Sequence, residues 1–427
     1  MIDANLLIDP VPTGWEICTL AEVCDRVKDS YTPIEGGDTP YIGLEHLAQG
    51  FPAFVGRGSE SDIKSSKTAF QIGDILFGKL RPYLRKGAQA GCDGISSTDI
   101  LVFRAKDRCE SAFLKYLVHA DEFISHAKST TSGVQHPRTS WPSLRDFKLS
   151  LPPLPEQKKI AHILSTVQRA IEAQERIIQI TTELKKALMH KLFTEGLRNE
   201  PQKQTGIGPA PEGWEVVKLG ALFEKQPQNG IYKHRREYGS GTQILRIDDF
   251  SNDGNVVTGA GNRVALARSE VKTYGLEAGD IVINRVNSLS HLGKTALIGA
   301  IGDEIVFESN MMRFSVNESQ VLKEYVFKFL NSPLTKKQII GTAKRAVAQS
   351  SINQSDVKSI IVPMPSLEEQ GEIVAALDAI GAKITHSTDK AVVLRDLFRT
   401  LLHELMTAKT RVRKFEIQVS QAELKRC

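Results

Sequence analysis

Two stretches of the chain repeat apolar or small residues alternately four and three positions apart. The first runs Ile160, Leu164, Val167, Ile171, Gln174, Ile178, Thr181 and, past the aliphatic stem of Lys185, Leu188 and Leu192. The second runs Ile373, Leu377, Ile380, Ile384, Ser387, Ala391, Leu394, Phe398, Leu401 and Leu405. A period of about 3.5 residues held over about five heptads predicts a coiled-coil helix in each. Pro155 suits the start of the first helix, Ser366-x-x-Glu369 reads as a capping box for the second, and Gly196 offers the first a stop. At 1.5 Å per residue each helix is expected to be roughly 60 Å long. A bare seam would face water, so the two are expected to pack as an antiparallel coiled coil, with Gln174 and Ser387 fixing the register. The simpler alternative packs each helix only on its own globule.

Between and before the helices the pattern changes. Short β-like runs such as Ile100-Leu101-Val102-Phe103 and Ile281-Val282-Ile283 alternate with short helical patterns such as Phe113 to Val118, punctuated by Gly and Asp. Two mixed α/β globules with small sheets, about 12–153 and 211–364, follow from this, giving an α+β chain overall. The chain also repeats itself. Pro12, Gly14, Trp15, Glu16 and Leu20 return as Pro211, Gly213, Trp214, Glu215 and Leu219. Gly73-Asp74-Ile75 returns as Gly279-Asp280-Ile281, and Pro152, Leu154, Glu156 and Gln157 return as Pro365, Leu367, Glu369 and Gln370. The expected organisation is a first globule at 1–154, a helix at 155–197, a polar linker at 198–210, a second globule at 211–365, a helix at 366–410 and a tail at 411–427. Two similar modules on long helices suit a chain that reads an extended partner better than one that processes a small substrate.

Composition narrows the classes. Five scattered cysteines without CxxC spacing argue for reduced thiols in a cytoplasm and against a disulfide framework or a zinc site. The start lacks the features of a signal peptide, and no apolar run approaches the ~20 residues of a membrane span. The net charge of +5 is weak evidence for a polyanionic partner, but the basic residues cluster locally.

The segment Gly73-Asp74-Ile75-Leu76-Phe77-Gly78-Lys79-Leu80-Arg81-Pro82-Tyr83-Leu84, followed by Leu151-Pro152-Pro153-Leu154-Pro155-Glu156-Gln157 leading into a long helix, resembles the DNA-specificity subunit of type I restriction–modification systems. Tyr41-Ile42-Gly43-Leu44-Glu45, Leu245-Arg246-Ile247 and Gly293-Lys294-Thr295-Ala296 belong to the same pattern, which covers nearly the whole chain in both copies. The resemblance implies that each globule is a target-recognition domain reading one half of a split, asymmetric sequence in double-stranded DNA. It implies that the helices act as spacer and as dock for two adenine-specific modification (methyltransferase) subunits, which carry S-adenosylmethionine, with ATP-dependent restriction subunits completing the complex. On that reading the chain has no catalytic residues, metal or cofactor of its own, and no membrane partner.

The competing class is a self-sufficient DNA-modifying enzyme with a duplicated fold. No Asn/Asp-Pro-Pro-aromatic tetrapeptide of the kind adenine methyltransferases use is present, since Pro152-Pro153 lies between Leu151 and Leu154. Gly293-Lys294-Thr295 resembles a phosphate loop, but Ser288 stands where that loop needs its first glycine.

DNA recognition needs cations for phosphates and Arg, Lys, Asn or Gln for base edges. In the first globule the candidates are Lys79, Arg81, Tyr83, Arg85 and Lys86, with Gln135 and Arg138 from the polar stretch Thr130–Arg138. In the second they are Gln228, Asn229, Tyr232, Lys233, Arg235 and Arg236, then Arg285, Asn287 and Lys294, then Lys344 and Arg345. Trp15 and Trp214, repeated in both copies, read as core anchors rather than base stackers.

Overall fold

The computed structural model describes residues 11–251, 254, 256, 261–345 and 349–412; the expected tail lies outside them from 413 onward. Two units result. One joins Met1–Gln174 to Asp389–Cys427, and the other spans Glu175–Thr388. The long helices run Leu154–Thr194 and Leu367–Met406, so each begins in one unit and ends in the other.

In the first unit Ile160, Leu164 and Ile171 of the first long helix share a core with Phe398, Leu402 and Leu405 of the second. In the second unit Met189, Leu192 and Phe193 of the first long helix share a core with Ile373 and Leu377 of the second. The start of each helix meets the end of the other, so the pair is antiparallel. The same side chains also pack on the globules, so the alternative in which each helix packs only on its own globule does not hold. Phe398, Leu402 and Leu405 are all buried, each contributing ~1.5–3 kcal/mol before entropy is counted. The first helix ends at Thr194, and Gly196 follows at φ +68°, the left-handed stop its sequence offered.

Both globules are built on one four-stranded antiparallel frame. In the first its order is Cys24–Arg26, Ile100–Ala105, Ile75–Gly78, Gly87–Gln89. In the second it is Phe223–Asn229, Met311–Val316, Ile281–Asn284, Thr295–Leu297. A second sheet flanks each frame and contains one parallel pair, Tyr41 with Ile95 in the first and Ile244 with Val306 in the second.

The repeated motifs hold this frame. Gly73 and Gly279 take φ of +90° and +93°, and the next residue's carboxylate accepts the backbone N–H three positions earlier, Gln71 to Asp74 and Glu277 to Asp280, both at 2.8 Å. The buried indoles of Trp15 and Trp214 donate to Glu156 and Glu369 at the head of the long helices, both at 3.1 Å. Gln157 and Gln370 then grip the loops beside them, accepting from Glu110 N–H and Leu322 N–H at 2.8 Å. Ser366 caps Glu369 N–H at 3.3 Å, while the Glu369 side chain is taken by Trp214, so only half of the expected capping box forms. The segment read as a linker carries a hairpin, Gln202–Thr205 against Gly208–Pro211.

Candidate nucleic-acid interface

The frame brings together segments that lie far apart in sequence. In the first unit the turn after Ile75–Gly78 meets the stretch 130–138. Leu80 bridges Arg138, and Arg81 N–H donates to Pro137 O at 2.7 Å. Lys79 N–H donates to Asp99 O at 2.9 Å, which seats Asp99 between the two segments. Arg138 grips the Asp99 carboxylate with Nε at 2.8 Å and Nη2 at 3.2 Å. This bidentate pair lowers the Asp99 pKa and raises that of Arg138.

In the second unit the corresponding turn forms a ribbon. Val286–Asn287 pairs with Ser350–Ser351, which pairs with Lys344–Arg345. Arg285 N–H donates to Asn310 O at 2.8 Å, the counterpart of Lys79 on Asp99, and Arg285 Nη1 donates to Ser309 O at 3.1 Å. Ile231 bridges Glu308 on the same turn, which draws in the segment carrying Tyr232, Lys233, Arg235 and Arg236. Beside this turn opens a cleft of about 640 Å³, lined by Tyr232, Lys233, Arg235, Tyr238, Arg246, Asn262 and Asn310.

The candidates sort into two kinds. Arg81, Tyr83 and Gln135 in the first unit, and Asn229, Tyr232, Arg235, Arg236, Lys344 and Arg345 in the second, present exposed side chains. Tyr232 is 77% exposed. Lys79, Arg285 and Asn287 are half-buried at the base of the same surfaces. Others are engaged by the protein. Lys86 donates to Leu44 O at 2.6 Å, and its counterpart Lys294 donates to Ile247 O and Phe250 O at 2.6 and 2.7 Å, with its ammonium 4.4 Å from the Phe250 ring centre. Burial lowers the Lys294 pKa. Arg85 holds His119 O at 3.1 Å and Asp121 at 2.5 Å. Lys233 pairs with Glu270 at 2.9 Å and Glu237 at 3.4 Å, which raises its pKa. Gln228 bonds Thr273 O at 3.2 Å and accepts from Arg313. In Gly293-Lys294-Thr295 the Thr295 hydroxyl is buried and turned onto Gly293 O at 2.9 Å.

Sequence reasoning missed Asp99, Arg246, Asn262 and Asn310. Asp99 is acidic and so falls outside a search for donors. The other three reach the surface through the flanking sheet and its turns, and only Arg246, inside the family motif Leu245-Arg246-Ile247, carried a sequence mark.

The family model of the type I restriction modification DNA specificity domain matches twice, at residues 12–182 and 211–395. The chain belongs to that family and is a specificity subunit, not the subunit that carries out methylation or cleavage. It is 27% identical over 425 residues to the type I restriction enzyme MjaVIII specificity subunit of Methanocaldococcus jannaschii, covering 94% of each chain. It is 25% identical over 292 residues to the EcoKI specificity subunit of Escherichia coli, covering 66% of this chain and 61% of that one. In fold it resembles the S subunit of a type I restriction–modification system from M. genitalium, with a TM-score of 0.55 at 15% identity, covering 93% of this chain and 97% of that one. Among the described residues no helix is long and apolar enough to cross a membrane.

Proposed function

We propose that this chain reads a bipartite, asymmetric target in double-stranded DNA, one half per globule, and carries that address to two adenine-methylating modification subunits, with ATP-dependent restriction subunits joining the same complex in the cytoplasm. One observation carries the reading of DNA. In both units the same frame gathers two distant segments around the same turn, yet the exposed side chains differ. The first surface offers Lys79, Arg81 and Gln135 beside an Arg138–Asp99 pair; the second offers Asn229, Tyr232, Arg235, Arg236, Lys344 and Arg345 beside Arg285, Asn287 and Asn310. A shared frame with different donors is what two different half-sites require. Lys86, Lys294, Arg85 and Lys233 act in this proposal as props for the surface, not as readers.

The long helices support the docking part. Ile180 and Leu184 of the first are 53% and 55% exposed, and Val393 and Leu397 of the second are 67% and 44% exposed. The two pairs occupy equivalent positions in the repeat, so two copies of one partner would each meet the same apolar surface. On this assignment residues 1–154 and 211–365 are the two target-recognition domains.

Methylation mapping in cells expressing the chain with its modification subunit tests the reading. A split motif with two unlike halves is expected, and exchange of residues 12–153 for a related globule should change one half alone. A single uninterrupted or palindromic motif would overturn it.

A further inference from the structure

Val134 is 100% exposed, more so than any other large apolar residue described. It stands at the tip of the loop 133–137, and that loop is held at every corner. Ser132 and Arg138 exchange two backbone hydrogen bonds of 2.9 Å, Arg81 N–H holds Pro137 O at 2.7 Å, and Arg138 is locked on Asp99. Gly133 takes φ +92°, and a Cβ there would lie 3.2 Å from His136 O, so the tip is shaped around glycine. The fold gains nothing from an aliphatic side chain in this position, because Val134 buries no surface. Its β-branched side chain is stiff, so little rotamer freedom is lost when it meets another surface. Gln135 and His136 follow it in exposed positions, and Arg81 lies at the loop's base.

We propose that Val134 recognises thymine: its isopropyl group packs on the 5-methyl group of a thymine in the major groove of the half-site read by the first globule. The inference rests on the DNA-reading function proposed above. The chemistry fits one groove, since the thymine methyl is displayed only in the major groove, which is wide enough, at about 12 Å, for a narrow loop of this kind. Gln135, adjacent at the tip, carries the carboxamide that pairs with an adenine edge in that groove. Apolar residues that wedge between base steps from the minor groove are mostly longer, and the basic residues behind Val134 suit a loop approaching between phosphate backbones.

The test uses the full chain with its modification subunits on duplexes carrying the mapped target. Each thymine of that half-site is replaced in turn by deoxyuridine, which removes one methyl group and keeps the pairing. At one position the wild-type complex should lose about threefold to tenfold in affinity, while Val134→Ala should bind the thymine and uracil duplexes equally. Melting of the Val134→Ala chain should match wild type, since the residue is outside the core. The proposal is overturned if the half-site contains no A·T pair, if no uracil position weakens wild-type binding, or if Val134→Ala loses affinity equally for both duplexes. A wild-type complex that does not prefer its mapped target over unrelated DNA would instead show, before any substitution, that the DNA-reading function itself is wrong, and the thymine recognition would fall with it.

Discussion

The guanidinium of Arg411 closes on the carboxylate of Glu156, with Nε 2.9 Å from one oxygen and Nη2 3.0 Å from the other. The Trp15 indole donates to the same carboxylate, so the start of the first globule, the head of one long helix and the residues just beyond the other meet at one buried acid. In the second unit Glu369 receives the Trp214 indole and Leu197 N–H, at 3.2 Å, in place of a guanidinium. The side chain of Glu156 is only 7% exposed, so losing the Arg411 guanidinium weakens the compensation of a charge held in poor solvent. Arg411→Ala should destabilise the first unit by about 2–3 kcal/mol, whereas Glu369→Gln should cost the second only about 1 kcal/mol. Urea unfolding followed through Trp fluorescence separates the two; an Arg411→Ala midpoint equal to wild type would show that the pair is idle.

His119 and Asn331 occupy equivalent turns and do the same structural job. His119 Nε2 lies 3.0 Å from Gly87 O, and Asn331 Nδ2 donates to Thr295 O at 3.2 Å. Burial pushes the His119 pKa down to about 4. Its unfolded-state value is near 6.5, so the folded unit prefers the neutral ring. The stabilisation is complete above about pH 6.5 and is lost as pH falls from there toward 4, by up to ~3 kcal/mol. The first unit should therefore soften between pH 6.5 and 4 through this group, and His119→Asn, which copies the second unit, should flatten that dependence. Melting curves across this range decide it; an unchanged slope in His119→Asn would assign the acid sensitivity to other groups.

Lys86→Met and Lys294→Met should lower stability while leaving the salt dependence of DNA binding unchanged, because both amines are spent on backbone carbonyls. Arg235→Ala and Arg81→Ala should do the reverse, leaving melting unaltered and reducing the salt slope by ~1 for each phosphate no longer neutralised. A side chain that reads a base edge would show instead as a penalty of ~1–3 kcal/mol at one position of the target. Binding titrations at several salt concentrations, run beside thermal melts, distinguish all three outcomes.

This division marks where the sequence stops being informative. The helices, their antiparallel pairing, the duplicated frame and the two Trp anchors were legible because each is written in local spacing or repeated residues. The basic segments of each globule were legible too, since charge clusters survive in one dimension. What a cation faces does not. Lys233 reads as a free donor until Glu270 arrives from a separate helix, and Lys86 until Leu44 O closes on it from the turn that follows Pro40–Ile42. Val134 carries no mark in the sequence, because a lone valine in a polar stretch resembles ordinary loop filling, and only its complete exposure on a pinned loop sets it apart.

Lengthening the helices tests their role as spacer. Four residues inserted after Gln174, with four more after Ser387 so that both partners lengthen together, add ~6 Å to each helix, which corresponds to nearly two base pairs along DNA at ~3.4 Å each. Methylation mapping of this variant should return both half-sites unchanged, with the gap between them larger by one or two positions. Retention of the original gap at full efficiency would show that the helices do not set it.

The core of the first unit has a consequence for synthesis. Its Phe77, Phe103 and Phe113 emerge early from the ribosome, but the Phe398, Leu402 and Leu405 that complete the same core are translated last. Among the described residues the core of the second unit is complete by Leu377. The globule made first is therefore the one finished last, and it waits with an open apolar face while its neighbour closes. Domains usually fold in the order they are made; here the order is inverted, and a stalled or truncated chain would expose the first globule, not the second, to aggregation and proteolysis.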